Sequence, residues 1–173
     1  VIIGISGSGK TTIGRLFANF LDGDFLEGDR RHPKKNIIKM ISQQPLQDED
    51  RQQWLGEIED DIRSAIDRNR ETVMTCSALK QSYRQQISLD RVQLVWIEVP
   101  AQVLTQRLKD RPHHFMPPSM LDSQLKAFES IAPAENIITV NGDRPIDDVM
   151  QELMAKALQR FPHLKKPWWG RCT

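Results

Sequence analysis

Residues 4–11 read Gly-Ile-Ser-Gly-Ser-Gly-Lys-Thr, the spacing G-x-x-x-x-G-K-[ST], directly after the apolar Val1-Ile2-Ile3. No other feature restricts the fold of this chain so tightly. Glycines at these positions let backbone N–H groups curl around a phosphate chain. The lysine reaches the outer phosphates, and the next hydroxyl can hold a divalent ion. Such a loop joins a strand to a helix N-terminus, whose dipole adds positive potential at the same point. A merely glycine-rich turn requires neither an apolar strand before it nor an amphipathic helix after it, and both are present. Gly4, Ile5, Ser6, Gly7, Ser8, Gly9, Lys10, Thr11 and Thr12 are therefore the expected contacts to a nucleoside triphosphate.

The pattern after the loop is one of alternation. Ile13, Leu16, Phe17, Phe20 and Leu21 recur at helical spacing and predict one core-facing side. A short strand at 25–27 follows, then a small helix from Pro33 to about Met40. Asp48 is the expected N-cap of a long helix lined by Trp54, Ile58, Ile62, Ala65 and Ile66. Residues 72–76 are β-branched and apolar, as in a buried strand. A helix near 80–88, a strand at 92–99, an inward face of Val103, Leu104 and Leu108, a strand at 136–140 and a last helix marked by Ile146, Val149, Met150, Leu153 and Ala157 complete the series. Strands alternating with helices predict an α/β fold, a three-layer α/β/α arrangement around a five-stranded parallel sheet. Such sheets bind ligands at the carboxyl ends of their strands. One domain over 1–160 is expected, with 161–173 as a tail. Two readings of Trp168 and Trp169 in that tail stay open: docking on the body or a second subunit, or a frayed end.

The 173 residues carry 24 basic and 23 acidic side chains, a net charge of +1, so no broad field for nucleic acid or a membrane surface is expected. No apolar run approaches the roughly 20 residues of a membrane span. Two cysteines, Cys76 and Cys172, support neither a disulfide framework nor a zinc pattern. Cys76 reads as a buried packing residue. A cytoplasmic enzyme is the simplest expectation, with upstream residues expected before Val1 and a removed targeting segment left open.

The guanine-specifying N-K-x-D and the D-x-x-G switch of GTPases are absent, and the only near match to the acid-ended apolar strand of a motor or chaperone ATPase, residues 94–98 ending in Glu98 just before Pro100, reads as a strand end that happens to be Glu. Small size instead suggests a small-molecule kinase with a lid at about 111–120. Arg107 and Arg111 lie four apart, on one helix face, before the Pro-rich stretch 112–118. A segment bearing guanidinium groups can close over the triphosphate and neutralise charge on the transferred phosphoryl. The rival reading is a solvated helix face.

Glu27-Gly28-Asp29, His32-Pro33, Asn36, Lys39-Met40, Pro45-Leu46-x-Asp48-x-Asp50-Arg51, Trp54-Leu55, Cys76-Ser77-Ala78-Leu79-Lys80 with Tyr83-Arg84, and Arg107-Leu108-x-x-Arg111-x-His113-His114-Phe115-Met116-Pro117 together resemble the gluconokinases. The resemblance runs from the loop to about Glu129. It departs at Gln43-Gln44, where the family has glycine before the proline, and it thins beyond Glu129. It implies a P-loop kinase fold and ATP- and Mg²⁺-dependent phosphorylation of D-gluconate at the 6-hydroxyl, in a homodimer.

Residue by residue, it implies Lys10, Asp29, Arg107 and Arg111 as catalytic groups, with Arg107 also stacking on adenine beside the loop at 141–145. Asp29 would orient the acceptor hydroxyl and take its proton. Asp24, in a second Asp-Gly-Asp register, reads as a turn residue because His32-Pro33 stands at the right distance only from Asp29. Asp29, His32, Asn36, Arg51, Lys80 and Arg84 are the expected gluconate contacts, with Arg51 and Arg84 gripping the carboxylate. Thr11 and Glu27 are the expected Mg²⁺ residues; burial at a strand end is the other reading of Glu27. His113 and His114 read as lid packing rather than metal ligands. A kinase for a shikimate-like hydroxy acid and a non-catalytic nucleotide-binding module are the rivals.

Overall fold

The structure, a computed structural model, describes residues 1–110 and 121–165. Arg111, His113, His114 and the expected lid lie outside the described residues, as do Trp168, Trp169 and Cys172.

Five parallel strands form one sheet: β1 (Ile2–Ile3), β2 (Asp24–Glu27), β3 (Thr72–Cys76), β4 (Val95–Glu98) and β5 (Ile138–Asn141), in the order β2-β3-β1-β4-β5. β1 is central, with Ile3 level with Cys76 on one side and Trp96 on the other. Alternate residues of the strands point to opposite faces, so the sheet has two separate cores. Ile2, Val73, Val95 and Ile97 pack under α1 (Lys10–Leu21) and α7 (Ile146–Arg160). Ile3, Met74, Cys76 and Trp96 pack under α3 (Asp48–Asp67), α4 (Gln81–Ile87), α5 (Ala101–Lys109) and α6 (Leu121–Ala127). The short α2 (Lys34–Ile41) precedes α3. The connection from β1 runs to one edge over the first face, and the later connections return over the second. That is how every crossover can be right-handed, and it opens a crevice at the carboxyl end of β1.

Several expectations need correction. On α1 the buried side is Ile13, Gly14, Phe17, Ala18 and Leu21, whereas Leu16 and Phe20 are 41% and 40% exposed. The covered stripe is narrower than the apolar one, because Gly14 and Ala18 let α1 approach the sheet closely. Ile146 likewise lies outside the core. Asp24 is not a turn residue: it opens β2 and pairs with Arg70 at 3.1 Å. The long helix begins at Asp48 itself with Gln47 as its cap, one residue earlier than a cap at Asp48 requires. Asp50 Oδ2 accepts the Gln47 N–H at 2.9 Å, so the reach back to the cap comes from inside the first turn. Asp48 is thereby left for other partners.

Candidate active site

The donor side is built by the loop between β1 and α1. Gly7 and Gly9 take φ of +87° and +91°, and a Cβ at Gly7 would meet Leu108 at 3.3 Å. Only glycine adopts this left-handed backbone without strain. Gly9 leads straight into α1 with no side-chain cap and no acidic residue in the first turn. First-turn amides have no acceptor inside a helix. A chain end with donors, a positive dipole and no carboxylate is suited to anions. Lys10 is 9% exposed, and its Nζ donates to the Ile5 carbonyl at 3.0 Å, which folds the ammonium back over the loop. Ser8 Oγ is buried without a hydrogen-bond partner among the described residues.

Asp29 reaches the same pocket from the other side. It belongs to a 3-10 turn, Gly28–Arg31, which leaves the carboxyl end of β2. Lys10, Asp29, His32, Arg51, Trp54 and Tyr83 are among the residues that line this pocket. Trp54 explains how the turn is held: its Nε1 donates to the Gly28 carbonyl at 2.8 Å, and its ring stacks on His32 at 4.4 Å and 13°. Burial, reinforced by the Arg51 charge, pushes the His32 imidazole down to about 4, so it is neutral at physiological pH. Cys76 lies below the site at the end of β3. Burial raises its thiol to about 12, as suits a packing residue.

Arg51 is held at the wall rather than extended into solvent. Its guanidinium lies 3.6 Å from Asp48 and 6.0 Å above the Tyr83 ring. Asp48 also accepts the Tyr83 hydroxyl and Lys80 Nζ, the latter at 2.6 and 2.8 Å. Those bonds, Lys80's first, hold the Asp48 carboxyl below its ordinary range. Two cations against one anion leave a surplus of one positive charge here.

Three expected acceptor contacts are placed elsewhere. Arg84 is 1% exposed and makes a bidentate pair with Glu135 at 2.6 and 2.9 Å, plus bonds to the Leu79 and Ser130 carbonyls. It ties α4 to the segment before β5 and has no face left for a ligand. Asn36 is fully buried and donates to the Asp50 carbonyl at 2.7 Å, which joins α2 to α3 behind the pocket. Lys80 serves Asp48 and is not among the pocket-lining residues. Arg107 lies apart as well. Its guanidinium donates to the Gly142 carbonyl at 2.9 Å, on the loop after β5, and it does not line the pocket of Lys10 and Asp29.

Thr11 is half-buried in the first turn of α1, and Glu27 ends β2, where its carboxylate accepts the Thr75 hydroxyl. Both offer hard oxygen donors of the kind Mg²⁺ takes, with the remaining positions left to water and phosphate. Among the described residues no group of three or more His, Cys, Asp or Glu could cage a metal.

Sequence reasoning missed Ser77, Ser123 and Gln124, which line the pocket. Ser77 lies inside a segment that carried the resemblance and could have been singled out. Ser123 and Gln124 come from α6 and belong to no motif.

The chain matches the family model described as Shikimate kinase over residues 6–158. It is 42% identical to the gluconokinase of Gluconobacter oxydans, over 89% of this chain and 88% of that protein. Among solved structures it resembles a gluconokinase from Sinorhizobium meliloti, with a TM-score of 0.83, 33% identity and coverage of 94% and 93% of the two chains. It also resembles a sugar kinase from a Janibacter species, with a TM-score of 0.86, 34% identity and coverage of 94% and 95%. With an anion-binding loop facing an aspartate across one pocket, and matches along nearly its whole length, this chain belongs to the gluconokinases, within the broader shikimate kinase family of P-loop kinases.

Proposed function

We propose that the protein transfers the γ-phosphoryl group of ATP to the 6-hydroxyl of D-gluconate, giving 6-phosphogluconate and ADP. One observation carries the reading. Lys10 and Asp29 open on one pocket whose wall also bears Arg51, so a phosphate site, a carboxylate and a cation stand around a single space. An acyclic sugar acid has its hydroxyl at one end and its carboxylate at the other. Placing the hydroxyl at Asp29 turns the carboxylate toward the arginine wall.

In this mechanism Lys10 and the amides of the loop and of α1 bind the phosphate oxygens. Asp29 accepts a hydrogen bond from the 6-hydroxyl and aims its oxygen at the γ-phosphorus. The new O–P bond forms as the bond from γ-phosphorus to the β,γ-bridging oxygen breaks, and the hydroxyl proton passes to the Asp29 carboxylate. Because such transfers are largely dissociative, most of the benefit of Asp29 comes from orientation. Arg51 holds the acceptor carboxylate by a two-pronged contact. His32, neutral and braced by Trp54, is placed for the chain hydroxyls. Mg²⁺, held through Thr11 and Glu27 and the phosphates, would neutralise charge on the β- and γ-oxygens. A homodimer is part of the proposal and is checked by light scattering.

The direct test is ADP formation with and without gluconate: turnover that gluconate does not raise rejects the acceptor. Asp29→Asn should lower kcat by about 10²–10⁴-fold while ATP still binds. An unchanged kcat removes Asp29 from this role.

A further inference from the structure

One side chain reaches the phosphate loop from 118 positions away in the sequence. The Ser6 backbone N–H donates to Gln124 Oε1 at 2.9 Å, and Gln124 Nε2 donates to Ser6 Oγ at 3.3 Å. The amide orientation is dictated by Ser6, because a backbone N–H must face oxygen rather than an NH₂ group. Gln124 stands in α6, in the second-face core, whereas the loop runs into α1 on the first. The contact therefore joins the two sides of the crevice. Ser6 and Gln124 also line the pocket shared by Lys10 and Asp29. The carboxamide thus touches the phosphate loop while lining the pocket into which Asp29 opens.

We infer that Gln124 is a positioning residue for phosphoryl transfer: its paired donor and acceptor clamp Ser6, and its neutrality adds no second negative charge to the pocket that Asp29 lines. The inference deepens the kinase reading above and rests on it. A glutamate of the same shape is the informative replacement. Ionised, it still accepts the Ser6 N–H but has no proton for Ser6 Oγ, and it places an anion beside an anion. Protonated, its carboxyl offers Ser6 the same donor and acceptor as the amide. Methionine keeps the bulk and loses both bonds.

The test uses Gln124→Glu and Gln124→Met with two readouts. Binding of ATP and of ADP is measured by calorimetry without acceptor, at about pH 8 and about pH 5.5. At the higher pH, Gln124→Glu should weaken ATP about tenfold more than ADP, because only ATP brings the third phosphate to this pocket. The excess should shrink to within about threefold at the lower pH, as the neighbouring phosphate raises the carboxyl's protonation. Kinetically, Gln124→Met should lower kcat by about 10–100-fold, with both KM values within about threefold. The kcat ratio of Gln124→Glu to the unmodified enzyme should rise about fivefold or more as pH falls. Lys10 and Asp29 face the same pocket in both proteins, so their contributions cancel in that ratio. A Gln124→Glu protein that binds ATP and ADP in the unmodified ratio at pH 8 overturns the inference, and so does wild-type kcat in Gln124→Met. If Gln124→Met does not fold, the isosteric glutamate carries the test. Binding is read without gluconate, so an enzyme that ignores gluconate rejects the acceptor while the binding arm still decides the role of Gln124.

Discussion

The phosphate loop and the helix start after it bring Ser6 and Lys10 to the pocket, and most of what this stretch offers is backbone: two left-handed glycines, a helix start and one lysine. The acceptor side is made of side chains from the turn after β2, from α3, and from the start of α4. Each is held by a partner: Trp54 by Gly28 and Tyr83 by Asp48, both distant in the chain, and Arg51 by Asp48 one helical turn away. A backbone site tolerates little change in a short stretch. A side-chain site can be retuned one residue at a time, while the groups that brace it are as polar as the groups that bind.

Removing the charge on the donor side should have the largest effect on rate. Lys10→Met is expected to lower kcat about 10³-fold, because it deletes the one side-chain cation of the loop where charge develops. Its melting temperature should stay near that of the parent protein. A loss of less than about tenfold would mean that the amides alone hold the phosphates, and the contrast between the two sides would widen.

Arg84→Met tests whether a charged residue beside the acceptor wall braces or binds. It leaves Glu135 half-buried without its partner. Breaking a buried pair by removing one member costs about 3–5 kcal/mol, so a urea midpoint shift corresponding to roughly 3 kcal/mol is expected. The gluconate KM of the folded enzyme should not change. A tenfold rise in KM with unchanged stability would return Arg84 to the binding site. Arg51→Met is the counterpart. It should raise the gluconate KM about 10–100-fold, the range expected for losing a charge-assisted contact, with ATP binding intact.

This pair of residues shows what was legible in the letters. The loop was readable because its function is a local backbone shape with fixed spacing. Four strands, β1, β3, β4 and β5, were readable because a buried parallel strand is a short run rich in β-branched residues, whereas β2 showed only as the apolar pair Phe25-Leu26 between polar residues. Arg51 and Arg84 look alike as letters, and so do Asn36 and His32. Which of each pair faces the pocket depends on Glu135, Asp50 and Trp54, and no local pattern announces those contacts. Gln124 was invisible for the same reason: its partner is a backbone N–H more than a hundred residues away.

The smallest effect expected is on the acid limb of stability, and it comes from His32. Its ordinary value is 6.5, and in the folded protein burial and Arg51 lower it to about 4. Between those values the unfolded chain binds a proton that the native state refuses, so stability rises with pH across this window. The contribution is complete above about 6.5 and is lost as pH falls toward 4. The depressed carboxylates of Asp48, Asp50 and Glu135 act in the same direction, but their window lies below the ordinary carboxylate range. His32→Asn should therefore flatten the slope of the urea midpoint against pH between 6.5 and 4, beyond a constant offset from the lost stacking on Trp54. A slope identical to that of the parent would mean that the imidazole is hydrated in the folded protein. The acceptor wall would then be wetter than its packing against Trp54 implies, and His32 would be free to charge as gluconate binds.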